Sequence, residues 1–328
     1  MLNPDAKLSE KVFTDEVEKA PTRDGFGHGS VEAGKADERV VVLCADLSES
    51  TRAEWFEKEF PGRFIEMGVA EQNMATVASG MAAAGKIPFI TSYAVFNPGR
   101  NYEQIRTTIA LNKVPVKICG MHAGVSVGPD GATHQMLEDI GMMRMLPGMT
   151  VIAPGDAEEA RKATIAAAKT DEPVYLRFAR SATPIFTTKD TPFSIGKALT
   201  LWDCEAPKVA LLSTGSLSYN ALLAARALAE EGIESVVLHI ATIKPLDGDA
   251  ILKAAKRAGR VITVEEHQAL GGFGSAVAEF LGEYHPVPVK RLGIMNQFGQ
   301  SGEPDELIAH YGLDAASIEK AVRNLLRS

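Results

Sequence analysis

The sequence predicts two α/β domains, each a three-layer unit with a mostly parallel sheet, on three observations. Short apolar runs recur between amphipathic segments. These runs are continuous rather than alternating, as in parallel strands buried on both faces. The strand–helix alternation stops once, at a polar stretch with two prolines, and then resumes. The 328 residues also suit about two domains at the usual ~150 residues each.

In chain order, the strand-like runs of the first unit are VVVLCA (40–45), KIPFITSY (86–93), VPVKICGM (114–121), TVIAP (150–154) and VYLRFA (174–179). AEQNMATVASGMAAAG (70–85) reads as a helix with Glu71 in its first turn. DAEEARKATIAAAKT (156–170) reads as another, with Asp156 at the N-cap position and acids in the first turn. SATPIFTTKDTPFS (181–194) is the interruption and reads as a linker. The second unit repeats the pattern: KVALLSTG (208–215), a helix over 218–232, ESVVLHIA (234–241), a helix through 251–259, RVITVEEH (260–267) and a helix in GGFGSAVAEFLGEY (271–284). The expected domains are residues 12–185 and 195–328. No internal repeat or low-complexity segment is evident.

Composition narrows the function classes. Apolar residues make up 45% of the chain and charged residues 23%, as in ordinary globular proteins. The net charge is −8 with no Lys/Arg stripe, which argues against a nucleic-acid partner. Cys44, Cys119 and Cys204 are widely spaced and form no C-x-x-C, so they read as small core residues rather than metal ligands or disulfides. There is no 18-residue apolar run, and MLNPDAKLSEK does not read as a signal peptide. The expectation is a soluble, cytoplasmic protein with no membrane partner.

Three groups of residues carry the chemistry. Taken alone, Glu71 is an acid complementing a helix dipole, each histidine of HAGVSVGPDGATHQ (122–135) is a loop residue, and Tyr93 and Phe96 of SYAVFNPGRNYEQIR (92–106) are core aromatics. Together, the two histidines flank a glycine-rich loop after a buried strand, where α/β proteins place their sites.

The string RFIEMGVAEQNM (63–74) resembles the pyrimidine-domain signature of the transketolase family. The resemblance covers roughly residues 20–325 and reaches the second unit through its architecture and EEHQALGGFGSAVAE (265–279). It implies a thiamine-diphosphate-binding pyrimidine domain followed by a transketolase C-terminal-like domain. In the family the glutamate matching Glu71 hydrogen-bonds the pyrimidine N1′ and so activates the cofactor. The aromatic matching Phe96 packs on the pyrimidine ring, with Tyr93 beside it, and Asp46 of ADLSES (45–50) matches a residue near the cofactor. His122, Asp130 and His134 match the substrate loop, where the histidines suit proton transfer to a sugar oxygen near neutral pH. Arg23 of TRDG (22–25), Ser50 and Arg180 of FARSA (178–182) match the substrate-phosphate segments, since guanidinium forks suit phosphate oxygens. GGFG (271–274) before a helix is a further candidate for binding an anion or for tight packing.

The family's GDG triplet with its following asparagine, which holds the cofactor diphosphate through Mg²⁺ or Ca²⁺, is absent from this sequence. The resemblance then implies the C-terminal subunit of a split transketolase, moving a two-carbon ketol unit between sugar phosphates. Its partner would be an N-terminal subunit carrying the diphosphate and metal, with two copies of each chain. Two other readings stay open: a deoxyxylulose-phosphate-synthase-like or 2-oxo acid dehydrogenase β-type subunit, and a non-catalytic scaffold. His122 together with the two arginines favours the transketolase subunit over both.

Overall fold

The computed structural model describes residues 1–327, and the elements and absences below are those of the described residues. The strands along the chain are β1 (Lys19–Ala20), β2 (Val40–Cys44), β3 (Phe64–Glu66), β4 (Ile87–Tyr93), β5 (Lys117–Met121), β6 (Thr150–Ile152), β7 (Val174–Arg177), β8 (Thr183–Pro184), β9 (Leu199–Trp202), β10 (Val209–Ser213), β11 (Ser235–His239), β12 (Thr242–Lys244), β13 (Val261–Gln268) and β14 (Val289–Ile294). The helices are α1 (Thr22–Ala36), α2 (Ser48–Thr51), α3 (Ala53–Glu59), α4 (Glu71–Ala83), α5 (Tyr102–Gln104), α6 (Asp139–Arg144), α7 (Ala157–Ala168), α8 (Leu217–Glu230), α9 (Gly248–Ala258), α10 (Phe273–Tyr284), α11 (Pro304–His310) and α12 (Ala315–Arg327).

Two α/β units result. The first sheet has the order β12-β6-β7-β5-β4-β2-β3 and is parallel except at β12. The second has the order β14-β13-β10-β11-β9 and is parallel except at β9. Every residue of β2, β5, β10 and β11 is buried, which is why these strands read as unbroken apolar runs. Asp156 caps α7, its Oδ1 accepting from the Glu159 amide at 2.9 Å.

The two units share one core. β12, from the second half of the chain, closes the edge of the first sheet. One apolar cluster runs from Val41, Met74 and Ile118 through Leu212 and Ile251 to Phe273. The carboxyl end of the second sheet faces the first unit. There the Ser126 amide donates to Glu266 Oε1 at 2.6 Å, Arg177 Nη2 donates to the Glu266 carbonyl at 2.8 Å, and the Gly215 amide reaches the Ala153 carbonyl at 3.2 Å.

One expectation needs revision. The stretch 181–194 is an anchored strap rather than a free linker. β8 pairs with β1, Phe186 is buried, and the Asp156 carboxylate accepts from the amides of Phe186 and Thr187 and from the Thr187 hydroxyl. The stretch lacks apolar periodicity because its backbone is tied to scattered partners, the short strand β1, the N-terminal segment and the Asp156 side chain, rather than to a long ladder. At GGFG the tight-packing reading holds: a Cβ at Gly272 would stand 2.2 Å from Glu265 Oε2. Glu265 already fills that helix start, its two oxygens accepting from the amides of Phe273 at 2.6 Å and Gly274 at 2.8 Å. An internal carboxylate therefore complements the α10 dipole.

The cysteine reading holds for Cys44 and Cys119, which are free and buried. Cys204 is free and half-buried. No helix is long and apolar enough to cross a membrane.

Candidate active site

The strand order of the first sheet reverses between β2 and β4, and ligands of open α/β sheets bind beyond the carboxyl ends of strands at such a point. The side chains singled out from the sequence cluster there. Beyond β2 the chain supplies Asp46 and Ser50, and beyond β4 it supplies Phe96 and Arg100. His122 follows β5 and Arg180 follows β7, while Glu71 opens α4 and Arg23 lies in the first turn of α1.

Glu71 is the first residue of α4 and is 2% exposed, with its carboxylate at the positive end of the helix. Its Oε2 accepts from Arg100 Nη1 at 2.6 Å. The Arg100 guanidinium lies 4.5 Å from the centroid of the Phe96 ring. The loop beneath is fixed by its own bonds. The Arg100 amide donates to the Phe96 carbonyl at 3.1 Å, and Asn101 Nδ2 donates to the Glu71 carbonyl and to Asn97 Oδ1 at 3.1 and 3.0 Å. Arg100 was not singled out from the sequence. No local signal marked it, because residues 94–100 form an irregular turn and the Glu71 partner lies 29 positions away.

Tyr93 joins this corner to the histidines. Its ring lies nearly parallel to Phe96, with centroids 6.2 Å apart and an interplanar angle of 10°. It packs 4.1 Å from the His122 ring and edge-on to His134 at 6.1 Å, and its hydroxyl donates to Ser50 Oγ at 3.2 Å. His134 also stands edge-on to Phe96 at 5.7 Å, and its Nδ1 meets the Thr133 hydroxyl at 2.9 Å.

His122 is buried in a left-handed backbone conformation, φ 54°. Arg23 Nη1 donates both to His122 Nε2 at 2.9 Å and to the Ser50 carbonyl at 2.8 Å. Because Nε2 accepts, the ring proton resides on Nδ1, a buried atom with no partner. Burial first, then the positive charges of Arg23 and Arg180, push the His122 pKa down to about 3, so the imidazole is neutral. Burial and the neighbouring Arg52 and Arg180 also lower the pKa of Arg23.

The phosphate-type residues are already engaged with each other. Arg23 bridges His122 and Ser50, while Arg180 Nη1 donates to Asp130 Oδ1 at 2.9 Å and to the Val127 carbonyl at 3.1 Å. Arg52, also missed from the sequence, pairs with Asp24 at 2.7 Å beside Arg23. Three guanidiniums against two carboxylates leave this corner net positive, which suits an anionic substrate group. Asp46 stands apart. It is exposed, and its side chain makes no hydrogen bond or ion pair among the described residues. The helix that follows it begins after Leu47, so Asp46 is not its N-cap.

The Glu71 corner fits an aminopyrimidine. The guanidinium held there is a planar cation whose N–H groups point at a carboxylate while its face lies on Phe96. A planar ring with amidine-type nitrogens would use the same face and the same acceptor. No group of three or more His, Cys, Asp or Glu that could hold a metal ion occurs among the described residues. Ser218 Oγ, His239 and Glu159 form a row with contacts of 2.6 and 2.7 Å, repeating the residue types of a nucleophilic triad. All three are buried where α7 meets the second unit, so the row pins the two units together.

Residues 18–185 match the family described as transketolase, pyrimidine binding domain, and residues 196–318 match transketolase, C-terminal domain. The chain is 44% identical over 303 residues to a putative transketolase C-terminal section of Methanocaldococcus jannaschii, covering 92% of this chain and 94% of that one. It is 39% identical over 313 residues to a 6-deoxy-6-sulfo-D-fructose transketolase subunit of a Clostridium species, covering 95% and 97%. Among solved structures, a split-gene transketolase described as an inactive β4 tetramer superposes with a TM-score of 0.87 at 42% identity, covering 94% of this chain and 98% of that one.

Proposed function

The chain belongs to the transketolase family, and we propose that it is the C-terminal subunit of a split, thiamine-diphosphate-dependent transketolase that moves a two-carbon ketol unit from a ketose phosphate to an aldose phosphate. The observation that carries this reading is the joining of two half-sites through Tyr93. Glu71 and Phe96 lie on one side and His122, Arg23 and Ser50 on the other, at the carboxyl ends of one sheet.

When bound, thiamine diphosphate supplies the carbon nucleophile of ketol transfer. The protein residues around it have separate tasks. Phe96 and Tyr93 orient a ring by packing, and Glu71 holds a proton at the ring nitrogen it faces. The unpartnered Nδ1–H of His122 donates a hydrogen bond to a substrate oxygen, and because the ring stays neutral it orients that oxygen without giving up its proton. His134, edge-on to both aromatics, is the second proton-handling group. Arg180 is the substrate-phosphate arginine, exchanging Asp130 for the phosphate, while Arg23 and Ser50 complete the anion corner. Asp130, released, accepts from a sugar hydroxyl. Asp46 is the cofactor-side residue with the least support.

An N-terminal partner subunit carries the diphosphate and its Mg²⁺ or Ca²⁺, and the complex contains two copies of each chain. The full-length match to a protein named as a C-terminal section, and the inactive state named for the split-gene β4 tetramer, support a requirement for that partner. A cytoplasmic location follows from a sugar-phosphate substrate. The test is ketol transfer from xylulose 5-phosphate to ribose 5-phosphate by the two subunits mixed with cofactor and Mg²⁺. Transfer by the pair and by neither subunit alone is expected. Decarboxylation of a 2-oxo acid without ketol transfer would replace this reading.

A further inference from the structure

We propose that Arg100 is a resident stand-in for the aminopyrimidine. Its guanidinium occupies the slot between Phe96 and Glu71, and the cofactor enters only by exchanging it out. The inference rests on the reading that this slot takes an aminopyrimidine.

The slot has one aromatic face and one buried carboxylate, and Arg100 uses both. Nη1 stands 2.6 Å from Glu71 Oε2, and the guanidinium carbon lies 4.5 Å from the Phe96 centroid. A guanidinium and an aminopyrimidine protonated at the ring nitrogen both place a planar N–H donor on a carboxylate, so each satisfies the same acceptor while stacking on the same ring. One face and one oxygen cannot serve both at once.

The exchange needs little rearrangement. Glu71 is 2% exposed, but the Arg100 side chain is 44% exposed, so the arginine is the partner free to leave toward solvent. The backbone beneath does not depend on the side chain. It is held by the Arg100 amide on the Phe96 carbonyl and by Asn101 Nδ2 on Glu71 and Asn97. Arg100 also gives the buried carboxylate a partner, which Glu71 would otherwise lack at that oxygen. It is thus a positioning residue that keeps the slot formed and competes with the ring for it.

Substitution separates this role from that of an ordinary cofactor ligand. In the complex with the N-terminal partner, calorimetric affinity for Mg²⁺–thiamine diphosphate is expected to rise roughly 3- to 10-fold in R100M, the size of one half-exposed ion pair plus one cation–π contact. R100K, which keeps the charge but loses the planar fork, should fall between R100M and wild type. Equal or weaker binding by R100M overturns the inference.

A second measurement does not need the loaded enzyme. Millimolar 4-aminopyrimidine should raise the melting temperature of the R100M chain more than that of wild type, and the gain should vanish in the E71Q/R100M double variant. An equal shift in wild type and R100M also overturns the inference. If 4-aminopyrimidine stabilises R100M but no assembled complex binds thiamine diphosphate, the exchange stands and the functional reading falls. If thiamine diphosphate binds wild type and R100M alike, the functional reading stands and the exchange falls.

Discussion

Arg23 Nη1 donates to Nε2 of the buried His122 at 2.9 Å, joining the first turn of α1 to the end of β5. The contact sets the tautomer of the imidazole and contributes to its depressed pKa, with burial the larger cause.

This relationship has a pH signature. The His122 pKa falls from 6.5 to about 3 in the folded chain. Between those values the unfolded chain binds the proton and the folded chain does not, so stability rises with pH across the window and is lost on acidification below about 6.5. The largest slope from one such site is ~1.36 kcal/mol per pH unit. Urea midpoints measured from pH 4 to pH 7 should fall less steeply toward acid in His122→Asn than in wild type. Identical profiles would mean that His122 does not carry this linkage.

Glu71→Gln should cripple cofactor activation in the assembled enzyme. The amide keeps the volume but cannot hold a shared proton at the ring nitrogen. The rate of C2 hydrogen–deuterium exchange in bound thiamine diphosphate reads this step directly. An unchanged rate would remove Glu71 from that role.

Arg180→Ala should raise KM for phosphorylated substrates roughly 10-fold or more, the scale of one charge-assisted hydrogen bond, and leave KM for hydroxypyruvate nearly unchanged. The variant also frees Asp130 from its 2.9 Å ion pair. Equal penalties for both substrate types would place Arg180 outside the phosphate site.

The chain by itself should bind thiamine diphosphate poorly and transfer no ketol units. Glu71, Phe96 and Tyr93 can hold only the pyrimidine end. Calorimetry of the isolated chain with cofactor and Mg²⁺ is the check, and tight metal-dependent binding would contradict the split-subunit reading.

Asp156→Ala should destabilise the chain by about 3 kcal/mol, read as a lower urea midpoint. One carboxylate caps α7 and satisfies the amides of Phe186 and Thr187 in a buried position, so its loss removes a cap and leaves buried donors unpaired. A change below about 0.5 kcal/mol, the ordinary surface range, would show that the strap 181–194 does not depend on it.

The residues read from sequence motifs were spread from Arg23 to Arg180, yet all except Asp46 fall in one neighbourhood at the carboxyl edge of the first sheet. They were legible because each lies in a short string that resembles a transketolase-family segment; taken alone, each reads as an ordinary core, loop or surface residue. Arg100, Arg52 and the buried Asp139, whose Oδ2 accepts from the Tyr175 hydroxyl at 2.7 Å and Arg177 Nε at 2.8 Å, were not legible, because each takes its meaning from a partner far along the chain. Arg100 meets Glu71 across 29 positions, Arg52 meets Asp24 across 28, and Arg177 meets Asp139 across 38.

The sequence by itself determined the two-unit α/β plan, because a central parallel strand must be apolar on both faces and so leaves an unbroken run. It determined the Asp156 cap for a similarly local reason. Tertiary structure alone decided α1. The segment TRDGFGHGSVEAGKA carries four glycines and is a poor helix by propensity. A Cβ at Gly25 would stand 2.1 Å from the Ala157 carbonyl, and one at Gly29 would stand 2.7 Å from the Arg161 carbonyl, so close packing against α7 requires these glycines. Tertiary structure also decided that β12 completes the first sheet and that Glu265 occupies the helix start at GGFG. The α1–α7 and β12–β6 contacts join segments far apart in the chain, and the Glu265 contact needs a strand end and a helix start folded back on each other, so no local pattern of propensity or periodicity encodes them.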